Sequence, residues 1–170
     1  MIFFTADLHF GHTNIIKHCN RPFATADEMD AALTHNWNTT VGQKDEVYIL
    51  GDFTMRHAAE AHRYLTPLNG RKYLVRGNHD RFLKNFTPYM DDFEWVKDYH
   101  VLIIEGRRIV LFHFPILVWD QSHRNSVHLF GHVHNKPMPA GRGAAFNVGV
   151  DVNNFAPVSL DEIFHKASQV

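Results

Sequence analysis

The chain has 170 residues, 45% of them apolar, with 17 Lys and Arg against 18 Asp and Glu and a formal net charge of −1. That length suits a single domain spanning residues 1–170, and the apolar share excludes a disordered chain. The balanced charge argues against a dedicated binder of long nucleic acids, which carries a basic surplus.

Cys19 is the single cysteine, so no internal disulfide is expected, and it reads as a buried or neutral thiol. No apolar run approaches the roughly 18 residues of a membrane span. The N-terminus also lacks the basic segment of a signal peptide, so the expected compartment is the cytoplasm. The unusual number is 14 histidines, none adjacent to another, which directs attention to metal ligation and proton transfer.

In chain order, Ile2-Phe3-Phe4-Thr5 reads as a strand running into Asp7 and His9. Thr25 and Glu28 fit a capping box, and Met29, Leu33 and Trp37 then recur on one helical face. The strand Val47-Tyr48-Ile49-Leu50 runs into Gly51-Asp52, and an alanine-rich helix is predicted over residues 56–65, stopped by Pro67, Asn69 and Gly70. Tyr73-Leu74-Val75 runs into Gly77-Asn78-His79-Asp80. Residues 96–104 and 107–112 flank Glu105-Gly106 as a hairpin whose second strand runs into His113. Val127-His128-Leu129-Phe130 runs into Gly131-His132-Val133-His134, and Ser159 with Glu162 opens a C-terminal helix. The expected class is α/β with two packed β layers.

Each strand-like run ends in polar chemistry, so one site is expected outside the carboxyl ends of the strands. Asp7 and His9, two apart, can face one ion, although alone they also fit a turn carboxylate beside a surface histidine. Gly51-Asp52 alone fits a turn, and His113 between Phe112 and Phe114 fits a core histidine. In Gly77-Asn78-His79-Asp80, Asn78 offers a carbonyl ligand, His79 a proton donor and Asp80 a carboxylate to orient that imidazole. His132 and His134 have a spacing common in zinc and iron sites. Together Asp7, His9, Asp52, Asn78, His113, His132 and His134 supply seven donors, enough for two divalent ions sharing a carboxylate bridge, for which Asp52 is the candidate. His12, Asn14, Arg21 and Arg76 lie close enough in sequence to reach a substrate phosphate, with His12 and Arg21 the first candidates.

Taken in this order, the five segments from Asp7 to His134 resemble the calcineurin-like metallophosphoesterase superfamily. The opening Thr5-Ala6-Asp7-Leu8-His9-Phe10-Gly11-His12, with Arg21-Pro22-Phe23, is similar to a group of small bacterial or phage phosphoesterases. The resemblance implies two β-sheets packed face to face and flanked by helices, a four-layer sandwich. It implies one ion held by Asp7, His9, Asp52 and His134 and a second by Asp52, Asn78, His113 and His132, each of them manganese, iron, zinc or similar. It implies hydrolysis of a phosphomonoester or phosphodiester by metal-activated hydroxide, with His79 as leaving-group acid. The substrate would be small and phosphorylated, such as a nucleotide. A protein-binding scaffold on the same fold, or a nuclease acting on short nucleic acid, is the alternative. The chain departs from the protein-phosphatase branch at Met55, where that branch has the aspartate that supports its catalytic histidine; this leaves Asp80 as the expected partner of His79.

Overall fold

Strand β1 (Ile2–Thr5) is apolar on both faces because it separates two cores. Side chains alternate along a strand, so Phe3 enters one core and Phe4 the other. A computed structural model describes residues 1–85, 92–137 and 143–170. β1 pairs in parallel with β2 (Glu46–Ile49), β2 with β3 (Arg71–Val75), and β3 with β4 (Trp95–Lys97). The short β9 (Val158–Ser159) adds antiparallel on the other side of β1. In the second sheet β5 (Tyr99–Ile104) is antiparallel to β6 (Arg107–Phe112), while β6, β7 (Ser126–Phe130) and β8 (Ala144–Asn147) are parallel.

The same alternation explains the layering. Phe3, Val47, Ile49 and Leu74 face helices α2 (Ala26–Thr40) and α3 (Ala58–Leu65), meeting Met29, Leu33, Trp37 and Leu65. Phe4, Tyr48 and Val75 face the second sheet and meet Ile109, Leu111, Val127 and Leu129 there. Ile163 of α4 (Leu160–Ala167) closes this inter-sheet core. Burial of side chains of this size is worth about 1.5–3 kcal/mol each. The architecture is therefore α/β, two packed β-sheets flanked by helices, as expected.

The predicted caps form. Thr25 accepts from the Glu28 N–H at 3.1 Å, although the Glu28 carboxylate reaches back to the N–H of Ala24 rather than of Thr25. Ser159 and Glu162 make the complete reciprocal box. The hairpin strand predicted over residues 96–104 is instead two strands broken at Asp98: β4 belongs to the first sheet and β5 to the second. A six-residue helix, α1 (Thr13–His18), and β8 were not anticipated.

Because β1, β2 and β3 are parallel, their carboxyl ends emerge side by side; those of β6, β7 and β8 do so in the second sheet. A parallel bridge between Ala6 and Gly149 knits the two sheets together at this end. Among the described residues no helix is long and apolar enough to cross a membrane.

Candidate metal centre

The turns that leave these strand ends are bent sharply. Asp7, His9, Asp52, His132 and His134 all adopt left-handed backbone, with φ of 58°, 54°, 56°, 70° and 52°. Each such residue other than glycine costs roughly 1–2 kcal/mol, and such strain persists only where the surrounding structure over-determines it, typically at functional sites. Backbone bonds hold the bends: the N–H of Asp7 donates to Gly51 O and that of His9 to Asp52 O, at 3.0 and 2.9 Å. Glycines admit the carboxylates. A Cβ on Gly131 would lie 2.6 Å from Asp7 Oδ2, and one on Gly77 would run into Asp52 Oδ1.

The seven predicted donors come together. Ligand atoms of Asp7, His9 and His134 lie within 4.8 Å of one another, as do those of Asp52, His113 and His132. Both groups could hold a metal ion. Asp52 stands between them, with Oδ2 3.6 Å from His9 Nε2 and 3.5 Å from His113 Nε2. Asn78 Oδ1 is 3.1 Å from His113 Nε2.

Buried His9 has no hydrogen-bond partner at either ring nitrogen among the described residues. An unsatisfied buried polar group costs about 1–3 kcal/mol, and a divalent cation would satisfy it. The donor set of imidazoles, carboxylates and an amide oxygen fits such a cation.

The charges agree with this reading. Burial pushes the Asp7 carboxyl up to about 7, against the pull of His134 and His113. Burial also opposes the Asp52 carboxylate, but His113, His9 and the His79 N–H outweigh it and hold Asp52 at about 2. His9 is driven down to about 3 by burial, with Asp52 opposing. Burial and the neighbouring His113 lower His132 as well. His9 is thus neutral with a lone pair free to coordinate, and a cation beside Asp7 would stabilise its buried carboxylate form.

The other predicted residues divide. The His79 N–H donates to Asp52 Oδ1 at 2.8 Å, and its ring lies 5.5 Å from that of His9 with a buried Nδ1 that has no partner among the described residues. His12 also lies beside the site, 5.5 Å from His9 between ring centroids, and lines a cleft of about 280 Å³ with Gly11, Thr13, Asn14, Met55 and Arg56.

Two expectations need correction. Asp80 does not orient His79. It is buried beneath the turn, where its carboxylate accepts backbone N–H bonds from Gly77, Asp52 and Phe53 at 2.8–2.9 Å. Its role is to fasten two ligand-bearing loops to each other. Arg21 is not placed to meet substrate, because its guanidinium is fully buried. It donates to the carbonyls of Asp7 and Leu8 at 2.7 and 3.0 Å and pairs with Asp151 at 2.8 and 2.9 Å.

Asp151 is the residue that sequence reasoning missed. Its Oδ2 lies 2.8 Å from Nδ1 of His134. The available signal was Val148-Gly149-Val150-Asp151, a further apolar run ending in glycine and aspartate like the others. His128 of β7 has a structural role: it receives the Ile116 N–H and packs on Trp119.

No family model matches the chain. An uncharacterized protein of Methanocaldococcus jannaschii, MJ1445, is 37% identical over 168 residues, covering 95% of this chain and 88% of that protein. Among solved structures, the protein of unknown function AQ665 from Aquifex aeolicus superposes with a TM-score of 0.77 at 28% identity, over 97% of this chain and 98% of that one. YfcE, a phosphoesterase from E. coli, superposes more loosely, with a TM-score of 0.45 at 18% identity over 87% of this chain and 77% of that one. On the strength of an identity that runs nearly end to end, the chain belongs to the same family as MJ1445.

Proposed function

We propose that the chain is a phosphoesterase that works with two divalent ions, one held by Asp7, His9, Asp52 and His134 and the other by Asp52, Asn78, His113 and His132. The observation that carries this reading is the position of Asp52, whose one oxygen lies about equally far from a histidine of each group, 3.6 and 3.5 Å. Two ions at such a site supply Lewis acidity toward a phosphoryl oxygen and a water nucleophile at neutral pH.

The protein's own groups do the rest. Asp52 and Asp7 supply negative charge that brings the cations together. His79, joined to Asp52 through its backbone N–H, holds its imidazole at the edge of the His9 group, with no partner for Nδ1 among the described residues. In this reading it would give a proton to the departing alkoxide, a contribution of typically about 100- to 10,000-fold. Asp80 keeps the Asn78-His79 turn in register with the Asp52 turn through its three backbone bonds. The cleft beside His12 offers room and polar groups for the alcohol portion of a small phosphorylated substrate, such as a nucleotide.

The test is hydrolysis of a phosphomonoester and a phosphodiester by protein stripped of metal and then supplied with manganese, iron or zinc. Activity that appears with metal and disappears with chelator supports the proposal. Hydrolysis that survives exhaustive metal removal refutes it, and metal binding without hydrolysis of either ester favours a scaffold role.

A further inference from the structure

We infer that Arg21 and Asp151 form a clamp that sets the geometry of the Asp7–His9–His134 group before a cation arrives. The inference rests on the two-ion reading above. It concerns residues outside the seven donors.

Asp151 Oδ2 engages His134 Nδ1 at 2.8 Å, so Nδ1 carries the proton and Nε2 is left as the lone pair for a metal. Such outer carboxylates fix the tautomer and ring orientation of ligating histidines. Asp151 is held in turn by Arg21, whose Nε and Nη2 reach its two oxygens at 2.8 and 2.9 Å. Of the three remaining donors of the same guanidinium, two go to the carbonyls of Asp7 and Leu8, at 2.7 and 3.0 Å, and one to Met29 Sδ at 3.3 Å.

That places one planar group on two things at once. It binds the strained turn between Asp7 and His9, where φ is 58° and 54°, and it binds the carboxylate that aims His134. Those two segments are more than a hundred residues apart and follow strands of different sheets, β1 and β8. They are also joined by the Val150 N–H, which donates to Ala6 O at 3.0 Å, and the loop that carries His134 is joined to Asp7 by the His132 N–H, at 3.0 and 2.8 Å from its two oxygens. Lysine could not replace Arg21, because it lacks the fork that reaches a carboxylate and two carbonyls together.

Cys19, His134 and Asp151 also bring ligand atoms within 4.8 Å of one another. A separate metal site there is disfavoured by the same contacts: the Arg21 guanidinium already occupies both Asp151 oxygens, and His134 Nδ1 is committed to Asp151. Asp151 is therefore a positioning residue.

The test is Mn²⁺ titration of the full chain by calorimetry, with electron paramagnetic resonance on the same samples to show whether bound ions are coupled neighbours. For Asp151→Ala the inference predicts one ion bound about 10- to 100-fold more weakly, the other unchanged, and loss of the coupled signal at low Mn²⁺. Asp151→Asn keeps an acceptor for His134 Nδ1 but loses charge against Arg21, so it should fall between Asp151→Ala and the parent. Should Asp151→Ala fail to fold, Asp151→Asn with the melting temperature of its metal-free form decides the matter. Parent-like affinity at both positions in the folded variant, or equal weakening of both, would overturn the clamp. If the parent protein itself binds no ion, the two-ion reading fails, and that result is distinct from a clamp failure.

Discussion

The Asp7→Asn variant separates the cost of this site from its purpose. In the metal-free protein, burial raises the Asp7 carboxyl from 3.8 to about 7. Below pH 3.8 the group is protonated in both the folded and unfolded chain and has no effect. Between 3.8 and about 7 the unfolded chain ionises while the folded one does not, so stability falls as pH rises, and it is level above about 7. At 1.36 kcal/mol per pH unit, the loss is about 4 kcal/mol.

Asparagine carries no charge at either pH. It forfeits part of the bonding from the His132 N–H, which donates to both Asp7 oxygens, at about 1 kcal/mol. Metal-free Asp7→Asn should therefore be about 3 kcal/mol more stable than the parent at pH 8, and no more stable at pH 4. Urea unfolding with chelator at the two pH values measures this. Adding Mn²⁺ should raise the melting temperature of the parent strongly and that of the variant little. A variant that is less stable than the parent by the same amount at both pH values would refute the reasoning, because Asp7 would then be an ordinary structural residue.

Two ligands give metal binding its pH dependence: a cation must displace the proton of Asp7, held up to about 7, and that of His113, where burial is outweighed by Asp52, which raises it above the usual histidine range, while His9, neutral above about pH 3, adds nothing. Affinity should therefore rise with pH through neutrality, and a calorimetric titration between pH 5 and 8.5 that finds no dependence on pH counts against this. Changing His79 to Ala should lower kcat about 100- to 10,000-fold with metal content unchanged by elemental analysis; lost metal would make His79 a ligand instead. Asp80→Ala strands three backbone N–H donors, two of them buried, and should cost roughly 3 kcal/mol in urea unfolding at pH 4; above pH 6 the cost should shrink, because burial raises the Asp80 carboxyl from 3.8 to about 6 and its removal relieves that penalty. A loss below about 1 kcal/mol at pH 4 would mean that the two loops are held by something else.

Much of this was legible in the sequence because the chemistry is local to strand ends. A run such as Val47-Tyr48-Ile49-Leu50 announces a strand, Gly51-Asp52 announces its end, and parallel strands bring their ends together without further information. Partnerships were not legible in the same way. Asp80 follows His79 directly, yet its carboxylate turns inward to the backbone N–H groups of Gly77, Asp52 and Phe53 and not toward the neighbouring imidazole. Arg21 looked like a loop arginine, but its partner Asp151 lies 130 residues away and is recognisable only after folding. β8, with the sequence Ala-Ala-Phe-Asn, lacks the β-branched residues that mark the other strands, so the aspartate that follows it drew no notice. The break at Asp98 is of the same kind, since alternation shows that residues are extended without showing which sheet they join.

The most direct test of the central claim is anomalous diffraction from crystals of the parent protein grown with Mn²⁺. Two peaks per chain are predicted, on either side of Asp52 Oδ2, one among Asp7, His9 and His134 and the other among Asn78, His113 and His132. No peak, or a peak only at exposed carboxylates elsewhere, would contradict a shared two-ion centre.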